Sequence, residues 1–260
     1  NHTKLKIENI LRNINMNIWK KTNYYNLKKK KISIDPFNSP IWKKKILNKI
    51  NLNKSYLKKD YSKHFLSSSP LPLIILGCNK KKIKIADYGS GDQELFFQLS
   101  NLKIDNINIF IDSIEVPEIN NLLKKNINKK NSKNIEINFY DNFNFNKKYD
   151  FVHISDSLQY NLNWKNFLIK ITAKNPKYII LNNLTAGKFK TYITEQKFYN
   201  EKLPYIFFNE TEIRKTLKKY KPFKYLYLNK INNEYKEYPQ SNFKKKEKLR
   251  YPKTIIFKKI

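Results

Sequence analysis

The residues best suited to chemistry are few, and they follow short apolar runs. Asp87-Tyr88-Gly89-Ser90-Gly91-Asp92 comes after the run 83–86 and before a helix-forming stretch, 93–99. The chain has only four glycines, and two of them stand here. In so glycine-poor a chain, a Gly-x-Gly pair marks a backbone that turns tightly and approaches something closely. The bland alternative is a plain strand-to-helix turn. Further on, Glu115 and Val116 close a second apolar run, with Asp112 three residues before Glu115. Asp141-Asn142 stops a third run, and His153, Ser155 and Asp156 end a fourth. Carboxylates in such places accept charge-assisted hydrogen bonds from hydroxyl or ammonium groups.

This pattern narrows the ligand. A dinucleotide fingerprint is Gly-x-Gly-x-x-Gly, and Glu94 stands where the third glycine belongs. Asp87, ahead of the turn, suits a ligand that carries positive charge and not a pyrophosphate. S-adenosylmethionine fits, with an ammonium, a sulfonium and no phosphate. Glu115, 24 residues after Gly91, is placed to accept from both ribose hydroxyls, with Asp112 as its rival. Asp141 and Asn142 can reach the adenine edge.

Such a site needs strands that end together. Residues 83–87, 107–115, 135–140, 149–154 and 178–181 read as strands, and 93–99, 118–126, 164–171 and 210–220 as helices. Asn209 is the N-cap of the last helix. Two more strands, 223–228 and 254–257, have no obvious helix between them, which suggests a hairpin. The expected fold is α/β: a Rossmann-like, seven-stranded, mostly parallel sheet with one antiparallel strand. Residues 1–80 are expected to form an N-terminal helical cap and 81–260 the ligand-binding domain. Within the cap, 1–60 reads as mostly helical, with a break at 35–40. Ser39 caps a helix with Pro40 at its first position, and Ile41, Trp42, Ile46 and Ile50 form its apolar face. A second short helix is expected around 55–65, and the stretch up to Leu76 is helix or extended.

Composition bounds the class. The 260 residues are 40% hydrophobic and 15% aromatic, enough for a globular core. A single cysteine, Cys78, excludes a disulfide framework, and three scattered histidines suggest no metal site. The lone thiol fits a reducing compartment, and the expected location is cytoplasmic. No apolar run is long enough for a spanning helix, and Asn1-His2-Thr3-Lys4 lacks the order of a signal peptide. The net charge of +32 invites a nucleic-acid partner. Against that, Arg occurs only three times, and the Lys, Asn and Ile bias is what an AT-rich coding sequence produces.

Asp87-Tyr88-Gly89-Ser90-Gly91 resembles the first motif of Rossmann-like S-adenosylmethionine-dependent methyltransferases. The later segments are similar to one group of these whose members mostly lack assigned substrates. The matching pieces are Ser113-Ile114-Glu115-Val116, Ile137-Asn138-Phe139-Tyr140, Ser157-Leu158-Gln159-Tyr160, Lys177-Tyr178-Ile179-Ile180, Thr194-Glu195-Gln196-Lys197 and Phe207-Phe208-Asn209. The resemblance spans roughly residues 35–258. Many members carry a longer Gly-rich turn, and an Arg after the fifth strand where this chain has Asn182-Asn183-Leu184.

The resemblance implies methyl transfer, in which the protein mainly positions the acceptor and removes a proton. Asp156 and His153 are the candidates for that work. Asp156 could instead cap a helix, and His153 could instead pack between sheet and helix. Gly89, Ser90, Gly91 and Ser155 are expected at the cofactor together with Asp87, Glu115, Val116, Asp141 and Asn142. Gln159, Tyr160 and Gln196 are candidates for substrate contact. Leu158 and Tyr160 could equally be packing residues, and Gln196-Lys197 reads as a loop that could equally be solvated surface. The expected acceptor is a small molecule or a sugar-containing metabolite. The alternatives are an RNA methyltransferase, favoured by the charge, and an inactive cofactor-binding or scaffold protein, motivated by the missing Arg.

Overall fold

The computed structural model describes residues 19–21, 36–59, 69–102, 106–127, 134–198, 201–218, 223–230, 243–249 and 251–260. In chain order the elements are β1 (Trp19–Lys21), α1 (Pro40–Lys59), α2 (Leu71–Leu76), β2 (Lys82–Tyr88), α3 (Glu94–Asn101), β3 (Asn108–Ile114), α4 (Pro117–Asn126) and β4 (Ile135–Tyr140). Then come β5 (Phe151–Ser155), α5 (Trp164–Ala173), β6 (Tyr178–Leu184), β7 (Ala186–Gly187), β8 (Tyr192–Phe198), β9 (Glu201–Asn209), α6 (Glu210–Lys218), β10 (Phe223–Lys230) and β11 (Lys253–Lys259). Short 3-10 turns stand at Pro36–Asn38, Leu158–Tyr160 and Lys245–Glu247.

Seven strands form the main sheet, in the order β10-β11-β6-β5-β2-β3-β4. β11 runs antiparallel to both of its neighbours, and the other described pairs are parallel. This is the expected Rossmann-like sheet with its one antiparallel strand. Alternation along the strands sends side chains to two cores. Ile83, Ile85, Ile109, Ile111, Ile137 and Phe151 pack with Ile46 and Ile50 of α1, Leu71 and Ile75 of α2, and the apolar faces of α3 and α4. On the other face Val152, Ile154, Ile179, Leu181, Ile255 and Phe257 pack with Trp164, Leu168 and Ile171 of α5 and Ile213 and Leu217 of α6. Both faces of the central strands are thus covered, as a parallel sheet requires.

Several local expectations meet the structure directly. The Ser39 hydroxyl accepts from Trp42 N–H at 3.1 Å, and Asn209 Oδ1 accepts from Glu212 N–H at 2.9 Å. The stretch before Leu76 is helix. The expected second helix from about residue 55 is corrected in part: α1 runs unbroken to Lys59, and residues 60–65 lie outside the described residues. Of the stretch 1–35, also expected to be mostly helical, only Trp19–Lys21 lies among the described residues, and it is strand.

Four strands, β1, β7, β8 and β9, were not expected. Gln196 and Lys197, read as a loop, lie in β8. β8 pairs antiparallel with β9 and with β1, and β7 pairs parallel with β9, giving a second, four-stranded sheet. None of the helices described is long and apolar enough to cross a membrane.

Candidate functional site

The order of parallel strands reverses between β2 and β5: β3 and β4 lie to one side of β2, and β6 to the other side of β5. In open α/β sheets the crevice outside the carboxyl ends at this reversal is where ligands bind. β2 ends there in the glycine turn and β5 ends in Ser155-Asp156. Gly89 and Gly91 both have left-handed backbones, with φ of +70° and +49°. They serve different needs. A Cβ on Gly89 would stand 2.2 Å from Ser157 Cβ, whereas one on Gly91 would find its nearest neighbours at 3.9 Å. Ser157 holds this close approach by donating to Tyr88 O at 2.9 Å.

Glu115 braces the turn from the end of the neighbouring strand. Its Oε1 accepts from Gly91 N–H at 2.8 Å, and its Oε2 from Val116 N–H at 3.1 Å. A carboxylate oxygen can accept more than one hydrogen bond, so a ligand hydroxyl is a chemically suitable donor to Glu115. The rival, Asp112, is engaged elsewhere: its Oδ2 accepts from Lys147 Nζ at 2.7 Å and from Tyr149 OH at 2.8 Å. Burial, with the Asp112 carboxylate alongside, drives the Tyr149 hydroxyl far above its usual pKa, so it stays a donor. Ser90 is buried and shares a cluster with Ser113 (2.7 Å) and Gln93 Nε2 (2.8 Å). Asp141 and Asn142 are exposed at the end of β4.

Asp87 and His153 turn inward. Asp87 Oδ1 lies 2.8 Å from His153 Nδ1, and His153 Nε2 lies 3.3 Å from Ser69 Oγ, just before α2. All three side chains are buried, at 3–4% exposure. The histidine is therefore packed between sheet and helix, and Asp87 has a partner within the chain. Asp156, by contrast, is exposed, with a left-handed backbone of φ +49°. Its Oδ1 accepts from Gln159 Nε2 at 2.7 Å, and Gln159, itself fully buried, also donates to Asn183 O at 3.2 Å. Ser155 Oγ accepts from Asn182 Nδ2 at 3.2 Å. Tyr160 OH donates to Gln196 Oε1 at 3.1 Å, joining the turn after β5 to β8.

α1 lies across the glycine turn. Lys49 Nζ is 3.2 Å from Asp92 Oδ2, and the methyl end of Ile46 reaches Gly91. Burial would lower the pKa of the Lys49 ammonium. The carboxylates of Asp92, Glu94 and Asp156 outweigh it and hold the group above its usual value. Asn120 had no place in the sequence reading. Fully buried in α4, its amide donates to Glu115 O at 3.0 Å and to Asp141 Oδ1 at 2.7 Å. The available signal was an amide on the apolar face formed by Ile119 and Leu123.

No family model and no curated sequence matches the chain. Solved structures similar in fold include an S-adenosylmethionine-dependent methyltransferase from Clostridium acetobutylicum, at 16% identity and a TM-score of 0.47. That match covers 77% of this chain and 91% of the other. A SAM-dependent methyltransferase from Aquifex aeolicus is 15% identical, with a TM-score of 0.46 over 79% of this chain and 98% of that one. Magnesium protoporphyrin IX methyltransferase from Synechocystis, solved with bound SAH, is 10% identical, with a TM-score of 0.47 over 79% and 86%. These likenesses concern the fold and leave the activity to the site itself.

At the crevice Asp92, Glu94, Glu115, Asp141 and Asp156 gather around the strand ends, in a chain with 21 acidic residues and a net charge of +32. The Lys49 ammonium stands among Asp92, Glu94 and Asp156, and the carboxylates remain in excess, which favours a cationic ligand over phosphate. The described residues hold no group of His, Cys, Asp and Glu able to bind a metal ion.

Proposed function

We propose that the chain is an S-adenosylmethionine-dependent methyltransferase acting on a small-molecule or sugar-containing acceptor. The observation that carries this reading is Glu115. Its carboxylate is clamped by Gly91 N–H at the strand reversal, inside an acidic rim on a strongly basic chain. The donor set fits this cofactor, which has cationic centres and a ribose but no phosphate. When bound, the cofactor supplies a methyl group activated by its sulfonium.

Gly89 to Asp92 would bind it through the backbone of the turn. Glu115 would accept from the ribose hydroxyls, with Val116, Asp141 and Asn142 beside the base. Asp87 would act from behind the turn, through its bond to His153. On the acceptor side Ser155 and Asp156 would border the reacting group, and Tyr160 and Gln196 would wall the pocket. Asp156 is the residue we assign to proton removal, because its carboxylate is exposed and oriented by Gln159. His153 faces Asp87 and Ser69 inside the fold, so it is not assigned that task.

Isothermal titration calorimetry with S-adenosylmethionine tests the reading. Wild type is expected to bind, and Glu115→Ala to weaken binding by about 1–3 kcal/mol through loss of charge-assisted hydrogen bonds. No binding by wild type would overturn the proposal. Binding with no methyl transfer to any of a panel of hydroxyl and amine acceptors would favour the inactive cofactor-binding alternative.

A further inference from the structure

We propose that Lys49 of α1 is a cofactor-binding residue, whose ammonium receives the carboxylate at the amino-acid end of S-adenosylmethionine. The assignment rests on the cofactor reading above and matches the one charge that reading leaves unmatched. The cofactor carries an ammonium, a sulfonium and a carboxylate. Asp92, Glu94, Glu115, Asp141 and Asp156 suit the first two, and the ribose, but each of them repels the third. A carboxylate entering such a rim needs a cation or N–H donors beside it. Three N–H groups of the glycine turn are already engaged: Gly89 N–H donates to Ile114 O at 2.9 Å, Gly91 N–H to Glu115 Oε1 at 2.8 Å and Gln93 N–H to Ser90 O at 2.8 Å. Lys49 supplies the cation.

Lysine is so common in this chain that a lysine near the crevice means little by itself. What marks Lys49 is the face it occupies. Ile46, Lys49 and Asn53 stand at i, i+3 and i+7 and form one stripe of α1. All three meet the turn. The methyl end of Ile46 reaches Gly91, Lys49 Nζ stands 3.2 Å from Asp92 Oδ2, and Asn53 Nδ2 donates to Asp92 O at 3.5 Å. Ile46 and Asn53 are buried, which fixes the stripe against the turn, while half of the Lys49 side chain is open to a ligand. Lys44, an exposed lysine of the same helix, lies roughly 140° around it from Lys49 at 3.6 residues per turn. Lys147, the rival cation near the strand ends, is held by Asp112 at 2.7 Å and by the Tyr140 hydroxyl at 2.8 Å, on β3 and β4 and away from the turn.

The pairing with Asp92 does not exhaust this ammonium. It has three N–H donors, and the contact with Asp92 takes one. A half-exposed ion pair is worth little, so the side chain can turn toward a ligand at small cost. Burial favours the neutral amine, but Asp92, Glu94 and Asp156 together keep the group charged. Its position also follows the connectivity of the cofactor. The sulfonium joins the ribose to the amino-acid end. With the ribose at Glu115 and the sulfonium facing an acceptor at Asp156, the amino-acid end falls to the turn, where Lys49 lies against Asp92 and within electrostatic reach of Asp156. α1 of the expected cap is then part of the binding site and not only a cover for the sheet.

Calorimetric titration with two ligands tests the assignment: S-adenosylmethionine, and its decarboxylated analogue, which keeps the ammonium and the sulfonium. The full chain is compared with K49M, K49Q, K49R and a control on the far side of the helix, K44M, and circular dichroism confirms that each variant folds. K49M and K49Q are expected to bind S-adenosylmethionine at least about 10-fold more weakly than wild type, through loss of a charge-assisted hydrogen bond. They should bind the decarboxylated analogue within about 3-fold of wild type or more tightly, because a rim with one cation fewer favours a ligand with one more net positive charge. K49R, which keeps the charge, should stay within about 5-fold for S-adenosylmethionine, and K44M within about 2-fold for both ligands. Equal loss of both ligands in K49M and K49Q, or undiminished binding of S-adenosylmethionine, would overturn the assignment and leave the cofactor reading standing. No binding of either ligand by wild type would overturn both.

Discussion

Gly89 and Gly91 share a left-handed backbone, yet their surroundings make them unequal. Gly91→Asn should cost at most about 1 kcal/mol, because Asn tolerates that backbone and its Cβ would meet its neighbours at ordinary van der Waals distance. Gly89→Asn must also push Ser157 away and should cost about 2–4 kcal/mol. Urea denaturation of the two variants checks this, and equal losses would remove the packing argument. A combined G89A/S157G variant should recover part of the loss seen in G89A, since the clash is with the serine Cβ. Spacing marked the tight turn and placed Glu115 and Asp156 at strand ends, where the structure has them. It could not reveal that Asp87 faces His153, 66 residues away, because that pairing depends on two strands lying side by side. Asn120 stayed hidden for a similar reason: its value lies in bridging Glu115 and Asp141, which are brought together only by the sheet.

Strands β5 and β6 were readable because buried parallel strands are near-continuous apolar runs, and β2 and β4 because their apolar residues alternate. The β8–β9 hairpin was not. β8 is Tyr-Ile-Thr-Glu-Gln-Lys-Phe, with charged residues in its middle, and β9 contains Pro204, which argues against a strand. β1 has three residues, and its partner lies over 170 positions away, so no local pattern marks it. Helix α6 shows how one element is fastened. Glu210, in its first turn, pairs with Lys253 Nζ at 2.7 Å on β11 and with Arg214 one turn on. The Arg214 guanidinium in turn stacks on Tyr225 of β10, 3.7 Å from the ring centre. Burial alone would raise the Glu210 carboxyl; the Lys253 and Arg214 cations outweigh it and hold the group below its usual value. A carboxyl depressed on folding adds stability above its unfolded pKa of about 4.3, and that stability is lost as pH falls through the folded value. Glu210→Gln should therefore lower stability at pH 7 by about 1–3 kcal/mol. The gap from wild type should shrink below about pH 4 in denaturation curves taken across pH. A gap that persists unchanged at pH 2 would contradict the ion-pair account.

At the scale of the whole molecule, a net charge of +32 on 260 residues sets up self-repulsion in the compact state. Salt screens that repulsion over distances of about 10 Å at 0.1 M. Raising NaCl from about 10 mM to 300 mM should therefore raise the thermal midpoint, measured by circular dichroism, by several degrees. A lowered midpoint would mean that individual ion pairs, such as Lys253–Glu210, outweigh the global field. The length of the chain and its alternation of elements foretold one main sheet with two covered faces.

The place of β11 bears on how the molecule is made. It is synthesised after β10 yet lies inside the sheet, between β10 and β6. Until residues 253–259 emerge from the ribosome, β6 has an open edge carrying Ile179, Ile180 and Leu181, each fully buried in the finished fold. Such an edge is a template for pairing with another chain. A nascent chain halted after β10 would therefore be the species most prone to aggregate and most in need of a chaperone.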